Sequence, residues 1–286
     1  MLSKMRETVA AWIWSRRHDR EDLVSWMHEP FARRYINASV SGSEHVWPME
    51  WFRDELGTTL DLGLSVGCGL GALERDVVSK GICRRMVGVD ISDLALEKAR
   101  ELAADDGLGD DIEYVKGSFN EAFWGRPERF DIIFFHQAMH HVEKLELCLE
   151  HVVSILKPGG FLFLDEYVGP SRTDWGGDRM AEATRVFQTV PPRYRRGRLR
   201  APIDWRDPSE AIRSAEIEDN VARHFEPIQE RGYGGNLLAV LHPYLQFDGV
   251  PEEERNSVLS GLVDAERRVI ANGERPFYRI YWGRVR

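Results

Sequence analysis

The chain has 286 residues, 43% hydrophobic and 30% charged, enough apolar side chains to bury a core without disulfide or metal staples. Its net charge of −9 at neutral pH excludes the broad basic face from which nucleic-acid binding draws most of its affinity. Three cysteines, Cys68, Cys83 and Cys148, make no disulfide framework and predict a reducing, cytoplasmic setting. The apolar run from Val9 to Trp14 is too short for a signal peptide. No run approaches the ~18–20 apolar residues that span a bilayer, so no transmembrane segment is expected.

Residues 1–58 read as a helical N-terminal cap rich in tryptophan: Trp12, Trp14, Trp26, Trp47 and Trp51. Trp12 and Trp14, beside Arg16 and Arg17, could meet a membrane surface or a partner subunit, which keeps a homodimer open. Packing onto the body of the fold is the expectation, because large aromatic side chains mostly find buried contacts. From 59 to 168, short apolar runs alternate with helical stretches. Leu62–Val66, Met86–Val89, Ile112–Val115, Ile132–Phe135 and Phe161–Leu164 are the predicted strands. Ala95, Leu96, Ala99, Leu102 and Ala103 mark one helical face, capped by Ser92. Leu145, Leu149, Val152, Val153 and Leu156 mark another, ended by Lys157-Pro158-Gly159-Gly160. Strict alternation of strand and helix implies right-handed crossovers and a parallel sheet. Residues 169–224 break the pattern with prolines and clustered charge, and read as a lid or substrate-side insertion. Within it, Pro191–Arg200 carries five arginines, a solvated loop on one reading and an anion-binding loop on the other. Residues 225–286 supply helices and strands that complete the core, ending in the alternating strand Phe277–Val285.

The sharpest signal closes the first strand: Val66-Gly67-Cys68-Gly69-Leu70-Gly71. Glycine is required where a chain turns sharply and where backbone must approach a ligand without an intervening Cβ. The second strand ends in Gly88-Val89-Asp90, nineteen residues past Gly71. A carboxylate at that place can accept hydrogen bonds from both hydroxyls of a ribose. Two rival readings share these residues. Gly67-x-Gly69-x-x-Ala72 also satisfies a dinucleotide fingerprint, but such a fold would continue into a second mononucleotide-binding half. Gly63-Leu64-Ser65-Val66-Gly67 matches a hydrolase nucleophile elbow. That reading would force three glycines into the first turns of a helix, at roughly 1 kcal/mol each, so Ser65 reads better as a strand residue.

With these motifs the sequence resembles the class I S-adenosylmethionine (SAM)-dependent methyltransferases. The likeness covers residues 59–168 through the glycine loop, Gly88-Val89-Asp90, Phe130–Phe135 and Leu156-Lys157-Pro158-Gly159-Gly160. It implies an α/β fold: a Rossmann-like three-layer sandwich with a seven-stranded, mostly parallel sheet and an antiparallel last strand. It implies SAM as cofactor, with Gly67, Cys68, Gly69 and Gly71 around the methionine portion and Asp90 on the ribose. Ser118 and Phe119 would flank adenine, where Asn120 could replace an acid that many members carry at 118. Ile91 and His136 complete the set assigned to the cofactor. Flanking segments, among them Glu166–Arg172, Asp207–Ser214 and Tyr233-Gly234-Gly235, resemble a bacterial subgroup associated with polysaccharide biosynthesis.

Methyl transfer is an in-line displacement, and an alcohol acceptor needs a base. The fourth strand runs into His136-Gln137-Ala138-Met139-His140-His141 at the ligand-facing edge. Histidine titrates near neutrality, so His140 or His141 is the base candidate, with Glu166 next in line. Tyr167, Arg172 and Arg213 are candidates for binding the acceptor, a small molecule or glycan with an anionic group that arginine forks suit. Histidines 136, 140 and 141 with Asp165 and Glu166 are metal-capable residue types, but no tight ligand motif is present and no metal is expected. The expected activity is O-methylation. N- or C-methylation, or a non-catalytic SAM-binding protein, are the alternatives.

Overall fold

The computed structural model describes Val9 and residues 25–118 and 129–286. Trp12, Trp14, Arg16, Arg17, Phe119 and Asn120, singled out above, lie outside the described residues.

In chain order the described elements are α1 (Pro30–Ser41), α2 (Pro48–Leu56), β1 (Leu60–Val66), α3 (Ala72–Ser79), β2 (Cys83–Asp90), α4 (Asp93–Asp105) and β3 (Ile112–Lys116). There follow β4 (Phe130–His136), α5 (Leu145–Ile155), β5 (Leu156–Tyr167), α6 (Gly177–Thr189), α7 (Ile217–His224), β6 (Phe225–Gly234), α8 (Leu238–Leu241), α9 (Glu252–Ala271) and β7 (Tyr278–Val285). Seven strands form one sheet in the order β3-β2-β1-β4-β5-β7-β6. The pairs among β1 to β5 are parallel, and β7 runs antiparallel to both β5 and β6.

Side chains along the inner strands alternate between the two faces, as strand geometry requires. Ile132 and Phe134 join one apolar cluster with Val77 and Leu96; Ile133 and Phe135 join the other with Leu149 and Val221. Helices therefore cover both faces of a central sheet, the expected three-layer sandwich. α1 and α2 share the first cluster. Trp26 and Trp51 are buried there, whereas Trp47 is 51% exposed. The described part of the N-terminal segment thus packs on the body through two of its three tryptophans.

Three details depart from the sequence reading. Lys157-Pro158-Gly159-Gly160 lies inside β5, where the pairing with β4 shifts register between Phe130 and Ile132. β6 is a strand that no periodicity announces, since half of its residues are exposed and they do not alternate with buried ones. The 169–224 insertion is partly regular, holding α6 and α7. Its arginine-rich stretch is docked: Arg193 pairs with Glu254, and the Arg196 Nε donates to the Pro243 carbonyl at 3.1 Å.

The register places the strand ends along one edge. Val66 sits beside Val89 and Phe135, and His136 beside Asp165. The chain leaves β1 for β2 on one side and places β4 on the other. The crevice at this switch point is where doubly wound sheets hold ligands.

Candidate active site

The glycine loop follows β1 directly. Gly67, Gly69 and Gly71 all have φ between +52° and +78°, a region costly for residues with a Cβ. Gly71 is doubly constrained, because a Cβ there would sit 2.1 Å from the Tyr114 hydroxyl oxygen. The loop is held by its own amides: Gly67 and Cys68 donate to the Val89 carbonyl at 2.8 and 3.0 Å, and Gly71 donates to the Cys68 carbonyl at 2.9 Å. Asp90, at the end of β2, accepts from the Gly69 and Ser92 amides at 3.0 and 2.9 Å. One carboxylate thereby ties the loop to the start of α4 and is fixed at the crevice rim. Cys68 is buried, as a small packed residue would be; Ile91 follows Asp90, and Ser118 is buried just past β3.

The second half of the site grows from β4 and β5. Gln137 has φ +54°, uncommon for a side chain with a Cβ and costing about 1–3 kcal/mol unless its surroundings hold it. They do. Its amide donates to the Asp165 carbonyl at 2.8 Å, and its side-chain nitrogen donates to the same carbonyl at 3.0 Å and to the Tyr233 hydroxyl at 3.3 Å. Tyr233 also bonds Asp165, and His136 Nε2 lies 3.4 Å from Asp165 Oδ2. Burial pushes the Asp165 carboxyl up, but His136, Tyr233 and the Arg33 guanidinium together hold it below its usual range.

The kink at Gln137 leads into the buried helical turn Met139–His141. Glu166, 0% exposed, accepts from the backbone amides of Ala138 and Met139. Its other oxygen lies 2.8 Å from His140 Nδ1. A carboxylate so placed fixes the ring orientation and the tautomer through Nδ1. Burial pulls the His140 pKa down, and Glu166, Glu210 and Asp207 outweigh it, so the group ends above its ordinary value. His141 Nδ1 lies 3.1 Å from the Ser209 hydroxyl and 3.8 Å from buried Asp207.

A cavity of about 300 Å³ opens at this edge, lined among others by Gln137, His140, Tyr167, Asp204, Glu210 and Tyr278. His140 and Tyr167 line it together, and Glu166 stands behind His140. Tyr167 offers its ring, because its hydroxyl donates to the Pro170 carbonyl at 2.8 Å. Arg172 and Arg213 are not among the lining residues. Arg172 donates to the Asp207 carbonyl at 3.0 Å and stacks over Trp205, holding the insertion in shape. Arg213 pairs with Glu146 and Glu216, away from the cavity lining. Asp204, Glu210 and Gln137 also line the cavity, and no motif in the sequence marks them. Their signal is weak, since polar residues in a loop look solvated until the fold closes over them. His140, His141 and Glu210 each bring one ligand-capable atom within 4.8 Å of one another, so this trio could hold a metal ion.

Sheet order, glycine loop and Asp90 define a Rossmann-like α/β fold of the methyltransferase type. Residues 64–164 match the family model described as a methyltransferase domain. Sterol 24-C-methyltransferase from Clavispora lusitaniae is 31% identical over 136 residues, 46% of this chain and 36% of that protein. The chain thus spans little more than a third of such relatives. N-methyltransferase NodS from Bradyrhizobium japonicum WM9, solved with S-adenosyl-L-homocysteine, superposes with a TM-score of 0.52 at 11% identity, covering 96% of this chain and 98% of that one. Geranyl diphosphate C-methyltransferase from Streptomyces coelicolor A3(2) gives 0.50 at 15% identity, covering 82% and 74%. At these identities the structural likeness shows the fold.

Proposed function

We propose that the chain is a SAM-dependent methyltransferase that methylates a hydroxyl group of a polar small molecule or glycan, with His140 as general base. The observation that carries this reading is the buried Glu166–His140 contact of 2.8 Å at the wall of the cavity. The methyltransferase-domain match over residues 64–164 supports the reaction class. The glycine loop and Asp90 fit an adenosyl ligand: a side-chain-free strip of backbone for close approach, and a fixed carboxylate for the ribose diol. Bound there, SAM would supply an electrophilic methyl group. The chain's residues would do the rest. Gln137 and Glu210 orient the acceptor, and His140 Nε2 takes the hydroxyl proton as the new bond forms. Glu166 stabilises the imidazolium that results.

Glu210 in the cavity lining favours a neutral or cationic acceptor over an anionic one, as like charges in a confined site repel, whereas Asp204 is paired with Arg206. C-methylation, the activity in the names of the sterol relatives, is the second reading. Gln137, Asp204 and Glu210 make a polar wall, which speaks for a hydroxylated acceptor instead. A place in polysaccharide biosynthesis and a cytoplasmic setting belong to this proposal too. The test is methyl transfer from labelled SAM to a panel of sugars and glycans, with the product's linkage read by mass spectrometry. Methyl found on carbon, or no transfer to any hydroxylated acceptor, would sink the reading.

Asp90→Ala should weaken S-adenosylhomocysteine binding by at least about tenfold in calorimetry, since it removes a charge-assisted contact of ~1.5–3 kcal/mol. NAD should not bind either form. A chelator should leave turnover unchanged. Loss of activity that added Zn²⁺ or Mn²⁺ restores would make His140, His141 and Glu210 metal ligands instead of base and acceptor contacts.

A further inference from the structure

We propose that Glu74 is the counter-charge for the α-ammonium group of the cofactor's amino-acid portion. The inference rests on the reading of the glycine loop as a SAM site and adds a residue that reading does not contain. Glu74 lies in the first turn of α3, directly after the loop, and is 0% exposed. Among the described residues neither carboxylate oxygen makes a hydrogen bond of ordinary geometry. A buried, unpartnered carboxylate is costly and calls for an explanation.

Two structural explanations fail. A glutamate at this helix position can cap the N-terminus by accepting from the N-cap amide. Here that amide, of Gly71, donates to the Cys68 carbonyl at 2.9 Å. Nor, among the described residues, is the carboxylate half of an ion pair. Its neighbour Arg75 is turned away, its Nη1 donating to the Leu70 carbonyl at 2.7 Å and its Nε 2.9 Å from Asp106. The groups that act on Glu74 are the Ser65 hydroxyl on β1, Cys68 in the loop, Tyr114 on β3, His136 on β4 and Arg75 on its own helix. None is a cation bonded to it: His136 is committed to Asp165. Burial accordingly pushes the Glu74 carboxyl up to about 7, against smaller pulls from Ser65 and the backbone.

The position supplies the missing partner. With ribose at Asp90 and adenine toward Ser118, the ligand's amino-acid portion would run along Gly67–Gly71 toward the ends of β1 and β4. Ser65 and His136, which act on Glu74, stand on those two strands. β1 ends in Leu64-Ser65-Val66, and the loop carries no charged side chain, so Glu74 is the acid this stretch offers. An ammonium group buried against it would convert an unpaired carboxyl into a charge-assisted hydrogen bond. The ligand's own carboxylate would be directed away.

The experiment is calorimetry on the full chain with three ligands. These are S-adenosylhomocysteine, its des-amino analogue with the α-ammonium replaced by hydrogen, and 5′-methylthioadenosine, which has no amino-acid portion. The wild-type protein should bind S-adenosylhomocysteine at least about tenfold tighter than the des-amino analogue. Its affinity for S-adenosylhomocysteine, unlike that for methylthioadenosine, should rise from pH 6 to 7.5 as Glu74 ionises. Glu74→Gln should bring the first two ligands within about twofold of each other and leave methylthioadenosine binding unchanged. A wild-type protein indifferent to the amino group overturns the proposal without any variant having to fold. So does a Glu74→Gln protein that keeps the preference, or that loses methylthioadenosine as well. Failure of all three ligands to bind the wild type would remove the SAM reading itself, and this inference with it.

Discussion

His140→Ala should lower turnover by ~10²–10⁴-fold while S-adenosylhomocysteine binds as in the wild type, because a positioned base typically contributes that much. The ring has one nitrogen 2.8 Å from a carboxylate that is itself wholly buried, and the residue lines the cavity. Such a ring is pre-oriented, and little reorganisation is needed when the proton moves. The base works as neutral imidazole, so turnover should rise with pH. Glu166 on β5, with Asp207 and Glu210 from the insertion, outweighs burial and lifts the His140 pKa. The midpoint should therefore fall above the ~6.5 of an ordinary histidine. The same shift has a stability consequence of fixed sign. A raised folded-state pKa contributes stability that is present in full below the unfolded value and is lost as pH rises through the folded one. Glu166→Gln separates orientation from proton transfer. It should lower turnover less than His140→Ala and move the midpoint down, since the carboxylate's raising influence is gone. Unchanged turnover in His140→Ala would place the base elsewhere or mean that the acceptor arrives already ionised.

Phe52→Ala should cost about 3–5 kcal/mol of stability in denaturant unfolding, as large aromatic truncations in full cores do. Phe52 on α2 is 0% exposed, its ring centroid 4.6 Å from Phe163, 5.3 Å from Trp282 and 6.2 Å from Phe134. Those three rings stand on β5, β7 and β4, so one side chain of the N-terminal segment is keyed into the middle of the sheet. Unfolding should remain a single transition, with α2 released together with the sheet. Trp47→Ala, five residues earlier and half exposed, should change stability by under about 1 kcal/mol. An early, separate transition in Phe52→Ala would show that the cap folds on its own.

The central strands were legible because continuous apolar runs have one use in this fold, burial on both faces. Asp90 was legible through its spacing from the loop, and Glu166 through its place at the end of the fifth strand. β6 was not: as an edge strand it exposes Glu226, Ile228, Glu230 and Arg231, and neither helical nor strand periodicity survives in it. α6 was missed for a similar reason, burying little beyond Ala183 and Phe187. Arg213 drew attention as a planar fork suited to anions, yet two acids distant in sequence and three residues away, Glu146 and Glu216, take it up. Glu74 left a readable trace. It sits three and four residues before Val77 and Val78, on the inward face of its helix, where an apolar residue would be ordinary.

The insertion and the Met139–His141 turn share hydrogen bonds. The Ile212 amide donates to the His140 carbonyl at 3.1 Å, and Ser209 holds His141. The segment that would select the acceptor is thus riveted to the residue that would activate it. If His140 is the base, specificity and rate should not be modular: a loop transplanted from a relative to alter acceptor choice would arrive without these two rivets and would misalign it. New acceptors are more readily reached by point changes at Asp204 or within the cavity wall than by exchange of the whole segment.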